Sequence, residues 1–229
     1  VVITGVGRAG QVGEAVAAAF GAEGARLALL DVQGDEARAR AETLERDGIH
    51  ATAIACDLTD ADATRAAAAQ VRALSTTVDA LVCVAGGFAM SGDLADADPA
   101  VFHRQVAINL TTVWMAMRAF LPAVREAKGA ITCFTSAAAL PGGRGVGMSA
   151  YVAAKAGVLS LVQTVAQEEQ AHGVRVNAIA PTAIRTAANV EAMGDDFAYV
   201  EREEVARTVL WLSSDEARRI TGQVVRLGA

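Results

Sequence analysis

Short aliphatic and β-branched runs alternate with longer, alanine-rich stretches of helical period along the whole chain. "VVIT" (1–4) reads as a strand, and "VGEAVAAAFGAEG" (12–24) as an amphipathic helix ended by Gly24. "ARLALLD" is a second strand, followed by a charged surface helix, "GDEARARAETLERDG", ended by Gly48. The alternation continues with "ATAIACD" and "DADATRAAAAQVRALS", then "VDALVCVAG" and "DPAVFHRQVAINLTTVWMAMRAFLPAVREAKG". It runs on through "AITCFTS" and "SAYVAAKAGVLSLVQTVAQEEQAHG", then "VRVNAIAP" and "EEVARTVLWLSS", to a last strand, "GQVVRL". In the longest helix Asp98 is the expected N-cap and Pro99 the first-turn residue. Lys128, just before Gly129, suits the negative end of that helix's dipole.

Seven near-continuously apolar strands separated by helices predict a parallel sheet covered on both faces. No linker, repeat or shift of composition divides the chain, so residues 1–229 are read as a single doubly wound, Rossmann-like α/β domain. The first strand is short, and a few residues are expected to precede it in the natural protein.

Composition narrows the function. The chain has 229 residues, 53% hydrophobic and 4% aromatic, so its core is built from Ala, Val, Leu and Ile. A net charge of −6 with no basic face argues against a nucleic-acid partner. No apolar run in the sequence approaches the roughly 18 residues that span a bilayer, and no signal peptide is evident. A cytoplasmic protein without a membrane partner is expected. Cys56, Cys83 and Cys133 form no CxxC pair and read as buried free thiols. His50, His103 and His172 lack ligand spacing, so no metal site is expected.

"TGVGRAGQVG" (4–13) lies between the first strand and the first helix. Glycines there let the backbone approach a pyrophosphate seated on the helix N-terminus. Asp31 closes the second strand in "LLDV", where an acid can bind both ribose hydroxyls of NAD and repel the 2′-phosphate of NADP. Arg8, inside the turn, is the counter-argument, since a guanidinium could pair with that phosphate. NAD is therefore preferred, with NADP possible. Asp57, in "CDLTD", sits at another strand end and could accept from the adenine amino group, whereas Asp60 reads better as a helix cap.

Tyr151 is one of two tyrosines and Lys155 one of two lysines. At i and i+4 of a helix they share a face. A neighbouring ammonium stabilises a phenolate and lowers its pKa, which makes a general acid/base serviceable near neutrality. A lysine suits this better than an arginine, because a compact ammonium can also bind a ribose hydroxyl and pass a proton.

Together these segments resemble the classical short-chain dehydrogenase/reductase family over essentially the whole chain. The resemblance rests on "TGVGRAGQVG", "LLDV", "CDL", "AINL", "TSAAAL", "YVAAK", "VNAIAPTAIRT" and "ITGQVVRLGA", in that order. It implies an oxidoreductase that interconverts an alcohol and a ketone or aldehyde by hydride transfer. It implies a tetrad in which Tyr151 is the acid/base, Ser136 bonds the substrate oxygen and Lys155 lowers the tyrosine pKa and binds the nicotinamide ribose. Asn109 would hold a water linking Lys155 to solvent. Gly5, Arg8, Gln11, Val12, Asp31, Val32, Asp57, Leu58, Ala85, Gly86 and Pro181 complete the implied cofactor site. Ile184, through its backbone, and Thr186, through its hydroxyl, would hold the carboxamide. A homotetramer packed through helices 99–126 and 150–172 is implied as well.

Three departures bear on that site. The glycine turn is two residues longer than the usual TGxxxGxG. Cys83 and Val84 stand where the family has two asparagines, which should weaken the bracing of the sheet centre. Thr182 replaces the glycine of the usual PG. The substrate loop, about 182–203, is short and suggests an open or small pocket, with Ala138, Met148, Val190 and Met193 as candidate lining residues. A 3-oxoacyl reductase or a sugar/polyol dehydrogenase leads on family frequency. The alternatives are a non-catalytic dinucleotide-binding sensor or scaffold and a nucleotide-sugar epimerase or dehydratase, which would need a larger C-terminal domain. A serine hydrolase lacks its G-x-S-x-G elbow.

Overall fold

The computed structural model of the chain describes residues 1–228. The strands are β1 (Val2–Thr4), β2 (Leu27–Asp31), β3 (Ala51–Ala55), β4 (Ala80–Cys83), β5 (Ala130–Phe134), β6 (Arg175–Pro181) and β7 (Val224–Leu227). They form one parallel sheet in the order β3-β2-β1-β4-β5-β6-β7. Ile3 of β1 lies in register between Leu29 and Val82. The connection order reverses between β1 and β4, and a crevice opens at the carboxyl ends of strands at such a switch point.

Period-two alternation divides the core. Leu30, Leu81 and Ile131 face the helices α3 (Ala61–Leu74), α5 (Thr112–Ala127) and α6 (Ser149–Glu168), against Val71, Val113, Phe120, Val158 and Val162. Leu29 and Val82, their chain neighbours, face the other way. They pack with Val16 and Phe20 of α1 (Val12–Ala22), Leu44 of α2 (Gly34–Arg46) and Val205, Val209 and Leu212 of α8 (Arg202–Ser213). The seven strands and the two-faced cover agree with the expectation from the sequence.

Details differ where the backbone does something that periodicity cannot register. The long helix expected from Asp98 is α4 (Pro99–Val106), a π-helical turn (Ala107–Thr111) and α5 in succession. Asp98 caps it by accepting from the N–H of Ala100 at 2.8 Å. At its end Lys128, not the glycine, takes the left-handed conformation, with φ of 51°. Gly129 is required for another reason, since a Cβ there would lie 2.5 Å from the carbonyl oxygen of Asp79. A further short helix, α7 (Ala187–Met193), occupies the segment read as a loop.

The spans Pro99–Ala127 and Ser149–Glu168 are long and apolar enough to cross a membrane by length and composition, more than the sequence reading allowed. Their Val113, Phe120, Val158 and Val162 side chains are buried against the sheet, so these are core helices of one sheet face.

Candidate functional site

The glycine turn is a place of close backbone approach. Gly5 has φ of +73°, and a Cβ on it would stand 2.7 Å from Cα of Ala85, at the exit of β4. A Cβ on Gly13 would meet the Gly5 carbonyl oxygen at 2.3 Å. The ends of β1 and β4 and the start of α1 are thus pressed together. Gly13→Ala should lower unfolding stability by about 1–3 kcal/mol through overpacking, measured by urea denaturation. Gln11, the N-cap of α1, makes no side-chain cap bond, so the first-turn N–H groups remain for an anion.

The extra length of this turn has its own fastening. Gly10 N–H donates to Oε2 of Glu14 at 2.7 Å. Arg40 of α2 pairs with Oε1 of the same carboxylate at 2.7 Å, and Arg202 of α8 lies 4.0 Å from Oε2. Two guanidiniums therefore offset the negative charge that Glu14 places beside the helix N-terminus. Arg8 stands exposed on the turn.

Asp31 is held facing the crevice: Oδ2 accepts from Gly7 N–H at 2.8 Å and Oδ1 from Gln33 N–H at 2.9 Å. Val32, beside it, is exposed, while Leu58 is buried. Asp57 Oδ1 accepts from the N–H and the hydroxyl of Thr59, a local turn, and Asp60 caps α3 as expected. The backbone around Cys83 and Val84 is tied to β1 by a threonine. The Thr4 hydroxyl accepts from Ala85 N–H at 3.1 Å and donates to Val82 O at 3.5 Å.

Asn109 sits in the π turn, fully buried, and clamps the loop after β4. Its Nδ2 donates to Gly87 O at 2.9 Å and to Gln105 O and Oε1 at 3.1 Å each, and its Oδ1 accepts from Gly87 N–H at 3.2 Å. A Cβ on Gly86 would lie 2.7 Å from Asn109 Oδ1 and 3.5 Å from Lys155 Nζ. Lys155 Nζ lies 5.8 Å from the centre of the Tyr151 ring. Ser136, just past β5, accepts from Ala138 N–H at 3.3 Å and comes near enough to Tyr151 to influence its ionisation. The four residues expected to form a tetrad thus converge at the crevice.

Their electrostatics correct one expectation. Burial, and not the Lys155 ammonium, sets the direction in which the tyrosine pKa moves in this structure. Burial raises the Tyr151 phenol above its ordinary value, and the Ser136 hydroxyl offsets part of that. Lys155 is buried, donates to Phe134 O at 2.9 Å, and has its pKa lowered to about 8 by desolvation. The free Cys133 thiol, hydrogen-bonded to the Cys83 thiol on the neighbouring strand and buried, is pushed well up and stays protonated.

Pro181 is the buried last residue of β6, and Thr182 follows it where the family pattern has glycine. Ile184 O accepts from Asn189 Nδ2 at 2.8 Å. The Thr186 hydroxyl oxygen caps α7 by accepting from Asn189 N–H at 3.2 Å, which leaves its proton free to donate. Ala138 follows Ser136 in a 3-10 turn, Met148 precedes α6, and Val190 and Met193 lie on α7. Residues not singled out from the sequence complete the frame. Phe88 meets the Tyr151 ring edge-on at 5.1 Å. Tyr199 donates its hydroxyl to Asn189 O and Gly194 O, and Arg185 lies over its ring while pairing with Asp195 and Glu201. Only the rarity of tyrosine could have flagged Tyr199. A hollow of about 670 Å³ against β7 and α8 is lined by Tyr199, Arg207 and Trp211 and includes none of the tetrad.

Comparison with known proteins follows the same frame. The family model described as enoyl-(acyl carrier protein) reductase matches residues 5–227. An uncharacterized short-chain type dehydrogenase/reductase of Sinorhizobium fredii is 32% identical, covering 98% of this chain and 93% of its own. The 2-(S)-hydroxypropyl-CoM dehydrogenase 3 of Xanthobacter autotrophicus is 34% identical over 97% of this chain and 92% of its own. The structure of a 3-oxoacyl-[acyl-carrier protein] reductase of Brucella melitensis with bound NAD superposes with a TM-score of 0.86, at 29% identity, over 99% of this chain and 88% of that one.

Proposed function

Since the chain belongs to the short-chain dehydrogenase/reductase family of oxidoreductases, we propose that it interconverts an alcohol and a ketone or aldehyde with a nicotinamide dinucleotide, NAD in preference to NADP. The observation that carries this reading is the convergence of Tyr151, Ser136, Lys155 and Asn109 at the switch-point crevice, beside a glycine turn and a strand-end acid.

The site fits the cofactor. Gly5, Gly13 and the uncapped first turn of α1, with Gln11 and Val12, would take the pyrophosphate. Asp31 would take the adenosine ribose, with Val32, Asp57 and Leu58 flanking the adenine, and Ala85 and Gly86 would pass beneath the second ribose. Ile184 and Thr186, past Pro181, would orient the carboxamide. When bound, the nicotinamide supplies or accepts the hydride. In reduction the Tyr151 hydroxyl gives its proton to the carbonyl oxygen while Ser136 donates a hydrogen bond to the same oxygen. Lys155 Nζ would hold ribose hydroxyls and return a proton to the tyrosine side. The Asn109 side chain is committed to Gly87 and Gln105, so in this reading the relay water falls to its main-chain carbonyl.

Two further parts of the proposal concern setting. Phe102 and Trp114, exposed on α4 and α5, support packing of copies of this chain through helices 99–126 and 150–172 into a homotetramer. Three free buried thiols accord with a reducing, cytoplasmic compartment. As substrates, a 3-oxoacyl thioester and a polyol are the choices that family frequency favours, and the walls around Tyr151 bear on that choice.

Fluorescence titration with NADH and NADPH tests the cofactor assignment. NADH should bind about 10- to 100-fold tighter, because a 2′-phosphate meets the Asp31 carboxylate at short range. Asp31→Asn should bring the two within about threefold. It should also weaken NADH, since an amide cannot accept from both Gly7 and Gln33. Tighter NADPH binding by the unmodified protein would transfer the role to Arg8 and defeat the Asp31 assignment.

A further inference from the structure

From the surroundings of Tyr151 we infer that the substrate is a hydrocarbon ring or short chain bearing one hydroxyl or carbonyl group, not a polyol. This rests on the alcohol/carbonyl reading of the Tyr151 site and names the class of compound that site takes.

The loop after β4, residues 84–92, is "VAGGFAMSG", without a charged side chain. It is latched to the loop before α6. Ser91 and Gly92 N–H both donate to Gly147 O, at 2.8 and 3.1 Å, and the Ser91 hydroxyl lies 3.2 Å from both Gly147 O and Ser149 Oγ. This latch sets Phe88 edge-on against Tyr151 and lays the Met90 methyl against Gly147, where a Cβ would stand 2.8 Å from it. Yet Phe88 and Met90 each remain 57% exposed, and Val146 on the facing loop is 88% exposed. Three large apolar side chains left open on these two latched loops, one of them against the acid/base tyrosine, are surface that a ligand can cover.

The polar inventory of these two loops is short. Ser136 is assigned to the reacting oxygen, while Ser91 and Ser149 are turned on each other. Between Ser136 and Tyr151 the sequence holds one charged residue, Arg144, which is exposed. A compound with one oxygen satisfies Tyr151 and Ser136 and covers Phe88, Met90 and Val146 with carbon. A polyol would set its further hydroxyls against those side chains, stripped of water and without partners. An apolar wall discriminates against added hydroxyls only moderately, so the preference should be about 10- to 100-fold.

Saturation-transfer NMR would compare cyclohexanol with threitol on the full chain, with and without NADH, and turnover would compare cyclohexanone with erythrulose. Cyclohexanol should bind at least about tenfold tighter than threitol. Phe88→Asn, at an exposed position that spares folding, should remove most of that preference, as should Met90→Ser. Equal or tighter threitol binding, or no detectable binding of cyclohexanol, overturns the inference. Turnover of both ketones with erythrulose favoured would also overturn it and leave the oxidoreductase reading intact. Preferential cyclohexanol binding with neither ketone reduced would sustain the substrate class and defeat the oxidoreductase reading.

Discussion

Replacing Tyr151 with phenylalanine should lower kcat/KM for carbonyl reduction by about 10²–10⁴-fold, the usual weight of a positioned general acid. NADH affinity should stay within about twofold. The substitution keeps the ring, its edge contact with Phe88 and its place beside Lys155, and removes only the hydroxyl. The pH dependence gives a second reading from the same variant. Burial raises the phenol pKa, so the protonated form prevails at neutrality. Reduction uses that form and should be flat through neutral pH. Alcohol oxidation uses the phenolate, and its rate should climb about tenfold per pH unit while the pH stays below the phenol pKa. In Tyr151→Phe that slope should vanish. Steady-state rates from pH 6 to 9, with NADH titrations alongside, measure all of this. Undiminished turnover would remove Tyr151 from the chemistry. A wild-type protein that binds NADH tightly but turns over no alcohol or ketone would favour the sensor reading.

The fold was legible because its signal is repetitive. Five of the strands, β1, β2, β4, β5 and β6, are apolar runs buried in the middle of a parallel sheet, and α1 and α2 give way to Gly24 and Gly48 in the left-handed conformation. Asp98 and Asp60 cap where their positions say they should. The π turn at Ala107–Thr111 was not legible, since one extra residue in a helix leaves the apolar pattern almost unchanged. It is nonetheless what carries Asn109, whose amide reaches back to Gln105 and across to Gly87. α7 escaped for the opposite reason: none of its residues is buried, so it has no apolar stripe to read.

The candidate site was legible as a set of residues and less so as an electrostatic environment. Spacing alone brings Tyr151 and Lys155 onto one helix face. Which of two opposing influences governs the phenol depends on depth, and depth is a property of the packed sheet. The lengthened glycine turn shows a similar limit. From sequence it is an irregularity, whereas in three dimensions Glu14 closes it with Gly10, and Arg40 and Arg202 arrive from helices 26 and 188 positions further along the chain. The replacement of the family asparagines by Cys83 and Val84 was legible as a loss, whereas the tie of the Thr4 hydroxyl to Ala85 N–H depends on strand register.

Lys155 should be the clearest case of function set against stability. Its folded pKa is about 8, against the ordinary value of 10.5 that applies in the unfolded chain. Below pH 8 both states are protonated, and the folded protein bears the whole penalty of a buried ammonium, about 3 kcal/mol. Between pH 8 and 10.5 the folded state holds fewer protons than the unfolded one, so this contribution to stability rises with pH. Above 10.5 both are neutral and the penalty is gone. Lys155→Met keeps the length and removes the charge. It also removes the bond to Phe134 O, a loss of roughly 1–2 kcal/mol, so the net gain at pH 7 should be about 1–2 kcal/mol. Urea denaturation at pH 7 and pH 9.5 would show the variant more stable at the lower pH and its advantage shrinking at the higher. Turnover should fall by about 10²-fold or more as the ribose contact and the proton path are lost. A variant that is less stable than wild type at pH 7 would mean that the ammonium is already well solvated by its neighbours. The lysine would then be a structural member of the core, and the proton path would have to run elsewhere.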